Sequence, residues 1–303
     1  MKALVVINPI AGPGRTRTIG DCVDLARTIL KAHHYDADVR ITTGPADAHN
    51  FSLAAVAAKI DLVIAWGGDG TVNGAATGVA GTGIPFAIIP GGSGNGLARD
   101  LSLPFNPTAA FEIAAGGMTR AIDAGDLHGS LFFNVAGIGF DARIAARLAL
   151  PGARRGLLGY VLATVGELRT YEPGIYSIHD ACDAAGTTLV ADIVDRPAMF
   201  IALANSRQYG SGAQIAPAAL LDDGMIEIVV VEPQSGIRLM RQVPAFFRGT
   251  LREGPGLLMR SAASMEVSCS HPIAFHVDGE PRQGPNRIAL RTRRGALLVR
   301  VTN

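Results

Sequence analysis

The 303-residue sequence contains no run of roughly 18 uninterrupted apolar residues, the length a membrane-spanning helix requires. A chain without one is expected to be soluble or to meet membranes only peripherally. Met1-Lys2 followed by Ala3-Leu4-Val5-Val6-Ile7 superficially resembles a secretory leader, but Asn8-Pro9 ends the apolar run too early, and the stretch reads as a first strand. Cysteine is scarce. Cys22, Cys182 and Cys269 are odd in number and widely scattered, which argues against a disulfide framework or a cysteine metal site and fits a reducing cytoplasm. The net charge of +1 is too small for a globally basic nucleic-acid binder, although local arginine clusters remain, and no nucleic-acid partner is expected. His33, His34, His49, His128, His179, His271 and His276 show no ligand constellation and read as surface or satisfied-core residues. Ser206 and Ser211 stand near glycines without a convincing histidine partner, so a nucleophilic triad has little support. There is no internal repeat, low-complexity tract or long linker.

What is present fits a globular protein: 48% hydrophobic and 17% charged residues, in a chain long enough for two domains of ordinary size. The most informative stretch is Leu62 to Gly78, LVIAWGGDGTVNGAATG, in which an apolar strand run meets three glycines around one acid and hands over to a helix. Gly67, Gly68 and Gly70 offer the bare backbone that a phosphate must approach closely. Asp69 is out of place in such a cradle unless a cation lies between it and the phosphate, which points to magnesium. A plain Gly-Asp-Gly turn with a capping aspartate is the alternative.

Two further loops have the same character. Ala3 to Ile7 leads into Asn8-Pro-Ile-Ala-Gly-Pro-Gly-Arg15, and Ile84 to Ile89 leads into Pro90-Gly-Gly-Ser-Gly-Asn-Gly96 before a helical start at Leu97. Between them the pattern predicts a helix over Thr18 to Ala32, a strand over Asp38 to Thr42 and a helix over Ala48 to Ala58. Alternation at this spacing implies a parallel sheet with ligands at the carboxyl ends of its strands, where the three loops would converge on one nucleotide crevice. Three unrelated turns are the alternative. After about Met118 strand-like runs dominate: Leu131 to Val135, Gly174 to His179, Leu189 to Val194, Met199 to Ala204, Met225 to Val231, Met265 to Ser268, Ile273 to Val277, Arg287 to Arg291 and Ala296 to Val301. Helices are expected around Asp141 to Leu150, Leu157 to Tyr171 and Gly236 to Arg248. The expected fold is an N-terminal α/β domain over residues 1–122 with a parallel sheet and an antiparallel β-sandwich-like domain over 123–303, with packing of the last residues back on the first domain left open.

In order along the chain, Asn8-Pro with Gly12, Gly67-Gly-Asp-Gly-Thr71, Gly92-Ser-Gly-Asn95, Asn134 to Ala142, Leu220-Leu-Asp-Asp-Gly-Met225 and Val277-Asp-Gly-Glu280 resemble the motifs of the diacylglycerol kinase catalytic-domain family. That family also holds bacterial lipid kinases and the sphingosine and ceramide kinases, and its first domain is similar to that of NAD kinases. The resemblance spans nearly the whole chain. It implies ATP with Mg2+ and phosphorylation of a lipid hydroxyl. Carried over residue by residue, it implies ATP contacts at Asn8, Gly12, Thr42, Gly67, Gly68, Asp69, Gly70, Thr71, Asn73, Gly92, Ser93, Gly94 and Asn95. It implies a structural magnesium held by Asp223 and the backbone carbonyls of Leu220 and Met225, a hard oxygen set of the kind magnesium needs. Asp278-Gly279-Glu280 presents two carboxylates, of which one takes the lipid hydroxyl's proton while the other orients the site or binds metal. The resemblance favours Glu280, Asp278 stays a candidate, and Asp69 completes the expected catalytic set. Taken alone, Asp223-Gly224 and Asp278-Gly279 would each be hairpin turns.

Two positions depart from the family pattern. Gly74 stands where many members have an acid, and Gly96 where many bacterial members have aspartate, which removes negative charge near the expected metal network. A soluble-substrate kinase of the NAD-kinase type, and a catalytically weak nucleotide- or lipid-binding regulator, are the competing readings. The expected location is the cytoplasm and the inner face of the membrane. Docking is expected through Arg154, Arg155 and the following Gly156-Leu-Leu-Gly-Tyr-Val-Leu, and through Phe246-Phe247-Arg248 with Leu251-Arg252, which pair cations with large apolar side chains against anionic lipid. A homodimer is left open.

Overall fold

The structure is a computed structural model that describes residues 1–11, 18–150, 152–153, 157–168, 170–189 and 193–302. The chain forms two compact units, Met1–Ile122 with Gly295–Asn303, and Asp123–Arg294. It leaves the first unit within one strand and re-enters it within another.

The first unit alternates strand and helix: β1 (Lys2–Ile7), α1 (Ile19–Ala32), β2 (Asp36–Ile41), α2 (Asp47–Ala57), β3 (Leu62–Gly67), α3 (Asp69–Val79), β4 (Pro85–Pro90), the short α4 (Gly96–Asp100) and α5 (Pro107–Gly116), followed by β5 (Met118–Leu127), which passes into the second unit. Thr18 and Asp21 close a capping box at the start of α1, each side chain bonding the other's backbone N–H, at 3.1 and 2.8 Å. Cys22, Ala26, Ile29 and Leu30 of α1 and Phe111 of α5 bury against Val5, Ile7, Ile64, Trp66 and Ile89. β3 is buried along its whole length, as a strand covered by helices on both faces must be. The parallel sheet runs β2-β1-β3-β4 and is completed by the end of the last strand, where Leu298 and Val299 pair with Pro85 and Phe86. β1 hands the chain towards β2 on one side and β3 hands it towards β4 on the other. The crossovers therefore part between β1 and β3, and such a switch opens a crevice at the carboxyl ends of those two strands.

The second unit is antiparallel. It comprises β6 (Ser130–Phe132), β7 (Val135–Gly139), α6 (Phe140–Leu148), α7 (Leu157–Leu168), β8 (Gly174–Cys182), β9 (Arg196–Ala198), β10 (Phe200–Ala204), β11 (Gln208–Gly210), β12 (Ala213–Gln214), β13 (Ile226–Val231), α8 (Gly236–Arg248), β14 (Leu257–Ala262), β15 (Ser264–Cys269), β16 (Ala274–Val277), β17 (Glu280–Gln283) and β18 (Arg287–Val301). One sheet runs β14-β13-β10-β7-β16-β17. In the other, β15 lies between β8 and the first half of β18. Ile138, Leu203, Ile228, Phe275 and Val277 of the first sheet meet Ile178, Met265, Val267, Ile288 and Leu290 of the second in a sandwich core. The first sheet's outer face carries α8 through Leu239, Ala245 and Phe246.

Several boundaries differ from the sequence expectations. Arg287 to Arg291 and Ala296 to Val301 are one strand, because the chain runs on through Gly295 at φ 57°. Leu131 to Val135 divides into β6 and β7. The expected strand over Leu189 to Val194 is absent at its described residues, and the remaining three lie outside them. α5 has no counterpart among the expectations, although Asn106 caps it and Pro107 opens it.

Candidate active site

In the first unit, Asn8 follows β1, Gly67 ends β3 and Gly68 to Thr71 follow it, at the switch between crossovers. The Asn8 backbone N–H donates to the Trp66 carbonyl at 2.9 Å, and its side-chain amide donates to Thr71 Oγ1 at 2.9 Å. Thr42 lies beside them, its N–H donating to the Ile7 carbonyl at 2.9 Å. The loop after β4 closes on the loop after β3: Gly91 N–H donates to the Gly67 carbonyl at 2.8 Å, and a Cβ on Gly92 would lie 2.6 Å from Gly68 Cα. Only glycine allows these two backbones to meet. Asn95 sits in the left-handed region at φ 50° and folds its amide back on Gly92, accepting from its N–H at 3.1 Å and donating to its carbonyl at 2.5 Å. Ser93 is exposed on this loop, Gly70 lies in the first turn of α3, and Asn73 is buried one turn along it. The structure thus brings Asn8, Thr42, Gly67 to Asn73 and Gly92 to Asn95 to one end of the sheet. Gly12 lies outside the described residues.

Asp69 has a structural employment within this cluster. Its Oδ2 accepts the Asn95 N–H at 2.9 Å and its Oδ1 the Gly96 N–H at 2.8 Å, so one carboxylate caps the start of α4 from the neighbouring loop. Burial raises its pKa, against the lowering by these two donors and by Arg99. The acid that looked foreign among phosphate-binding glycines therefore has a local reason to be there. Gly74 has one too: its Cα faces Ala48 and the His49 backbone across the α2–α3 contact, and Gly78, one turn on, faces Ser52 and the His49 carbonyl still more closely.

In the second unit, Val277 pairs with Glu280 across a two-residue hairpin whose central residues, Asp278 at φ 48° and Gly279 at φ 88°, have the positive angles of a type I′ turn. The turn is anchored. Asp278 Oδ2 accepts from Phe133 N–H at 2.9 Å, and Oδ1 accepts from Asn134 and Val135 N–H, each at 3.0 Å. Glu280, next after the turn, is exposed. Below it is a cluster that the sequence did not single out. His276 Nε2 lies 2.5 Å from Asp141 Oδ2, and Tyr160 donates to Asp141 Oδ1 at 3.3 Å. Both members of the pair are buried. Nothing in the spacing of residues 141 and 276 could join them, and by alternation His276 falls on the face of β16 opposite the core residues Phe275 and Val277, where a polar residue is ordinary. An open cavity of about 570 Å3 adjoins the hairpin, with Tyr171, Tyr176, Pro272, Ala142, Arg143 and Arg282 in its wall. Ser206 is fully buried and bonds Asn134 Oδ1, a structural place.

Leu220, Asp223 and Met225 lie in the turn before β13. Asp223 Oδ1 accepts the Met225 N–H at 2.9 Å, and the buried Asp123 accepts the Gly224 N–H at 2.7 Å. Glu227, two residues further on, has its carboxyl pushed up by burial and then by the charge of Asp223. A hard cation at Asp223 and the adjacent carbonyls would relieve that repulsion, so the donor set fits magnesium in kind. Among the described residues no group of three or more His, Cys, Asp or Glu side chains is gathered as a metal site.

Residues 2–127 match the diacylglycerol kinase catalytic domain, and residues 134–300 match the YegS C-terminal NAD kinase beta sandwich-like domain. A Mycobacterium tuberculosis (strain ATCC 25618 / H37Rv) protein named diacylglycerol kinase is 33% identical over 288 residues, covering 92% of this chain and 88% of its own. The chain belongs to the diacylglycerol kinase family. A Chromohalobacter salexigens relative named "Probable lipid kinase YegS-like" is 30% identical over 273 residues, 88% of this chain and 85% of its own. A crystal structure of a diacylglycerol kinase from Bacillus anthracis strain Sterne superposes with a TM-score of 0.71 at 22% identity, over 99% of this chain and 97% of that one. At that identity the likeness speaks for the fold. Within this diacylglycerol kinase family member, the catalytic-domain match contains Asn8 and both described glycine loops, and the second match contains Asp223, Asp278 and Glu280.

Proposed function

We propose that this protein is an ATP- and magnesium-dependent lipid kinase that transfers the γ-phosphate to a hydroxyl of a membrane lipid such as diacylglycerol or a sphingoid-type lipid. The observation that carries the reading is the anchored hairpin in a chain of this family: three backbone N–H groups fix Asp278, and the next outward carboxylate is Glu280. With both oxygens of Asp278 engaged, Glu280 is the base. The nucleotide's phosphates lie against the bare backbone of Gly67 to Gly70 and Gly92 to Gly94, with Asn8, Thr42, Thr71, Asn73, Ser93 and Asn95 around them and Asp69 holding the two loops together. Glu280 accepts the hydroxyl proton as the oxygen bonds to the γ-phosphorus, and the bond from that phosphorus to the bridging oxygen of ADP breaks. Magnesium bound with ATP would supply positive charge against the phosphates, and a structural magnesium would be held by Asp223 and the carbonyls of Leu220 and Met225. The tyrosine- and proline-walled cavity beside the hairpin suits an acceptor with an apolar body.

A lipid acceptor requires the protein to reach a bilayer, and among the described residues no helix is long and apolar enough to cross one. α8 offers a docking face. Met240, Val243 and Phe247 are 75, 47 and 45% exposed at spacings of three and four, and the helix carries Arg238, Arg241 and Arg248 and no acid. Leu251 departs from the expected docking set, because it is buried in the core under α8, and Phe246 packs against the same core. Arg154 and Arg155 lie outside the described residues. The full chain, given ATP labelled in its γ-phosphate and vesicles of bacterial lipid, is expected to label a lipid only with magnesium present. Folded protein that labels no lipid, or that makes NADP from NAD and ATP, contradicts the reading.

A further inference from the structure

The buried pair beneath the hairpin touches the turn itself. His276 presents two nitrogens to two different partners: Nε2 to Asp141 Oδ2 at 2.5 Å, and Nδ1 to the backbone N–H of Gly279 at 3.2 Å. Gly279 is the second residue of the turn that ends at Glu280. Its N–H needs a lone pair on Nδ1, so the imidazole that satisfies both contacts is the neutral form whose Nε2–H is donated to Asp141. The fold makes room for this. Gly137 of β7 lies opposite His276 in register, and a Cβ there would sit 1.9 Å from Asp141 Oδ2 and 2.5 Å from His276 Nε2.

We infer that His276, held in one tautomer by Asp141, is a positioning residue for Glu280: its Nδ1 fixes the peptide of Gly279 and thereby the direction in which the next carboxylate projects. The inference rests on the reading of Glu280 as base. Asp278 anchors the turn from one side through residues 133–135 and His276 anchors it from below, so the two-residue turn is held at both of its central positions. The groups facing the imidazole are Asp141 from α6 and Asp278 from the turn, with Tyr160 of α7 and Tyr209 of β11 behind Asp141; β7 faces it with glycine alone. Burial pushes the imidazole pKa down, and Asp141 and Asp278 more than reverse that. Protonation at Nδ1 would set two N–H groups against each other at Gly279.

Two substitutions separate the two contacts. His276→Asn keeps an acceptor near the Nδ1 position and gives up the Nε2 contact, whereas His276→Gln keeps a donor for Asp141 and gives up the acceptor for Gly279. In the full chain, with a short-chain water-soluble acceptor, His276→Gln is expected to lower kcat by about tenfold to a hundredfold, the scale of a displacement of about 1 Å in a reacting group, with KM for the acceptor unchanged. His276→Asn is expected to keep kcat within about threefold, the size of a small residual misplacement. Equal losses in both variants, or a change confined to KM, overturn the inference. Glu280→Gln is measured alongside: full turnover there overturns the assignment of the base, while its loss together with undiminished turnover in His276→Gln overturns only the positioning role. Nitrogen-15 spectra of histidine-labelled wild-type protein at alkaline pH, above the raised titration of the imidazole, keep the test decisive even where a variant fails to fold. They are expected to show His276 with a proton on Nε2 and none on Nδ1, and the opposite tautomer or an imidazolium contradicts the inference.

Discussion

Asp69, a catalytic candidate from the sequence, also holds two loops together in the fold. Its two oxygens take two backbone donors from the neighbouring loop, and an amide in its place can accept only one of them while setting its NH2 against the other. Asp69→Asn is therefore expected to cost about 1–3 kcal/mol of stability, read as a lowered denaturant midpoint. The pH dependence has a definite sign. Burial holds the folded-state pKa of Asp69 above its ordinary 3.8, so the folded state keeps the proton longer than the unfolded chain does. Its contribution to stability falls as pH rises from 3.8 through that raised value, and the advantage of wild type over Asp69→Asn should shrink across the same window. An advantage that grows with pH there would contradict this account. The companion carboxylate, Asp278, illustrates the limit of sequence reading: Asp-Gly before a strand announces a hairpin, but three donors from residues 133–135 are some 145 positions away in sequence and leave no local trace.

At the scale of elements, periodicity made the helices and most strands legible, because each buries one face against a sheet. α1 was bounded to within one residue since Thr18 and Asp21 cap it, and α8 was legible end to end. The long β18 was read as two strands because Gly295 interrupts its pattern, a break that the backbone absorbs without leaving the strand. α2 and α3 pack through small residues, and a Cβ on Gly78 would lie 2.6 Å from Ser52 Cβ and 2.9 Å from the His49 carbonyl. Alanine normally favours a helix over glycine by about 1 kcal/mol, but here overpacking is expected to win, with Gly78→Ala destabilising by about 1–2 kcal/mol net of that gain. A raised melting temperature would show that the two helices can part at little cost. α8 makes an independent prediction. Replacing Met240, Val243 and Phe247 with Ser and Arg241 and Arg248 with Glu should weaken binding to anionic vesicles by about 1 kcal/mol or more for each basic residue lost near the surface. Turnover on a water-soluble acceptor should persist; loss of both activities together would assign these residues to the fold instead.

For the whole molecule, the sequence conveyed the plan of a parallel α/β unit followed by an antiparallel sandwich, since ordered motifs and strand spacing both carry through the chain. It could not convey which residues meet in space, and the Asp141–His276 pair is the clearest instance. A cation held by Asp223 binds the folded chain alone and must stabilise it. Magnesium at about 100 times its Kd is expected to add about 2.7 kcal/mol, and Asp223→Ala should abolish the response while the apo melting temperature stays near that of wild type. An equal magnesium response in the variant would move the cation elsewhere.

The most direct test of the central claim compares wild type with Glu280→Gln in the transfer of labelled γ-phosphate to vesicle-borne lipid. The two proteins are matched for folding by thermal melt and for nucleotide binding by titration with ATP. The account predicts a magnesium-dependent labelled lipid with wild type, and a loss of at least about a hundredfold in kcat with Glu280→Gln, the low end of what a positioned general base supplies, while ATP binding is unchanged. Undiminished transfer by Glu280→Gln, or no labelled lipid from folded wild type that binds ATP, would contradict it.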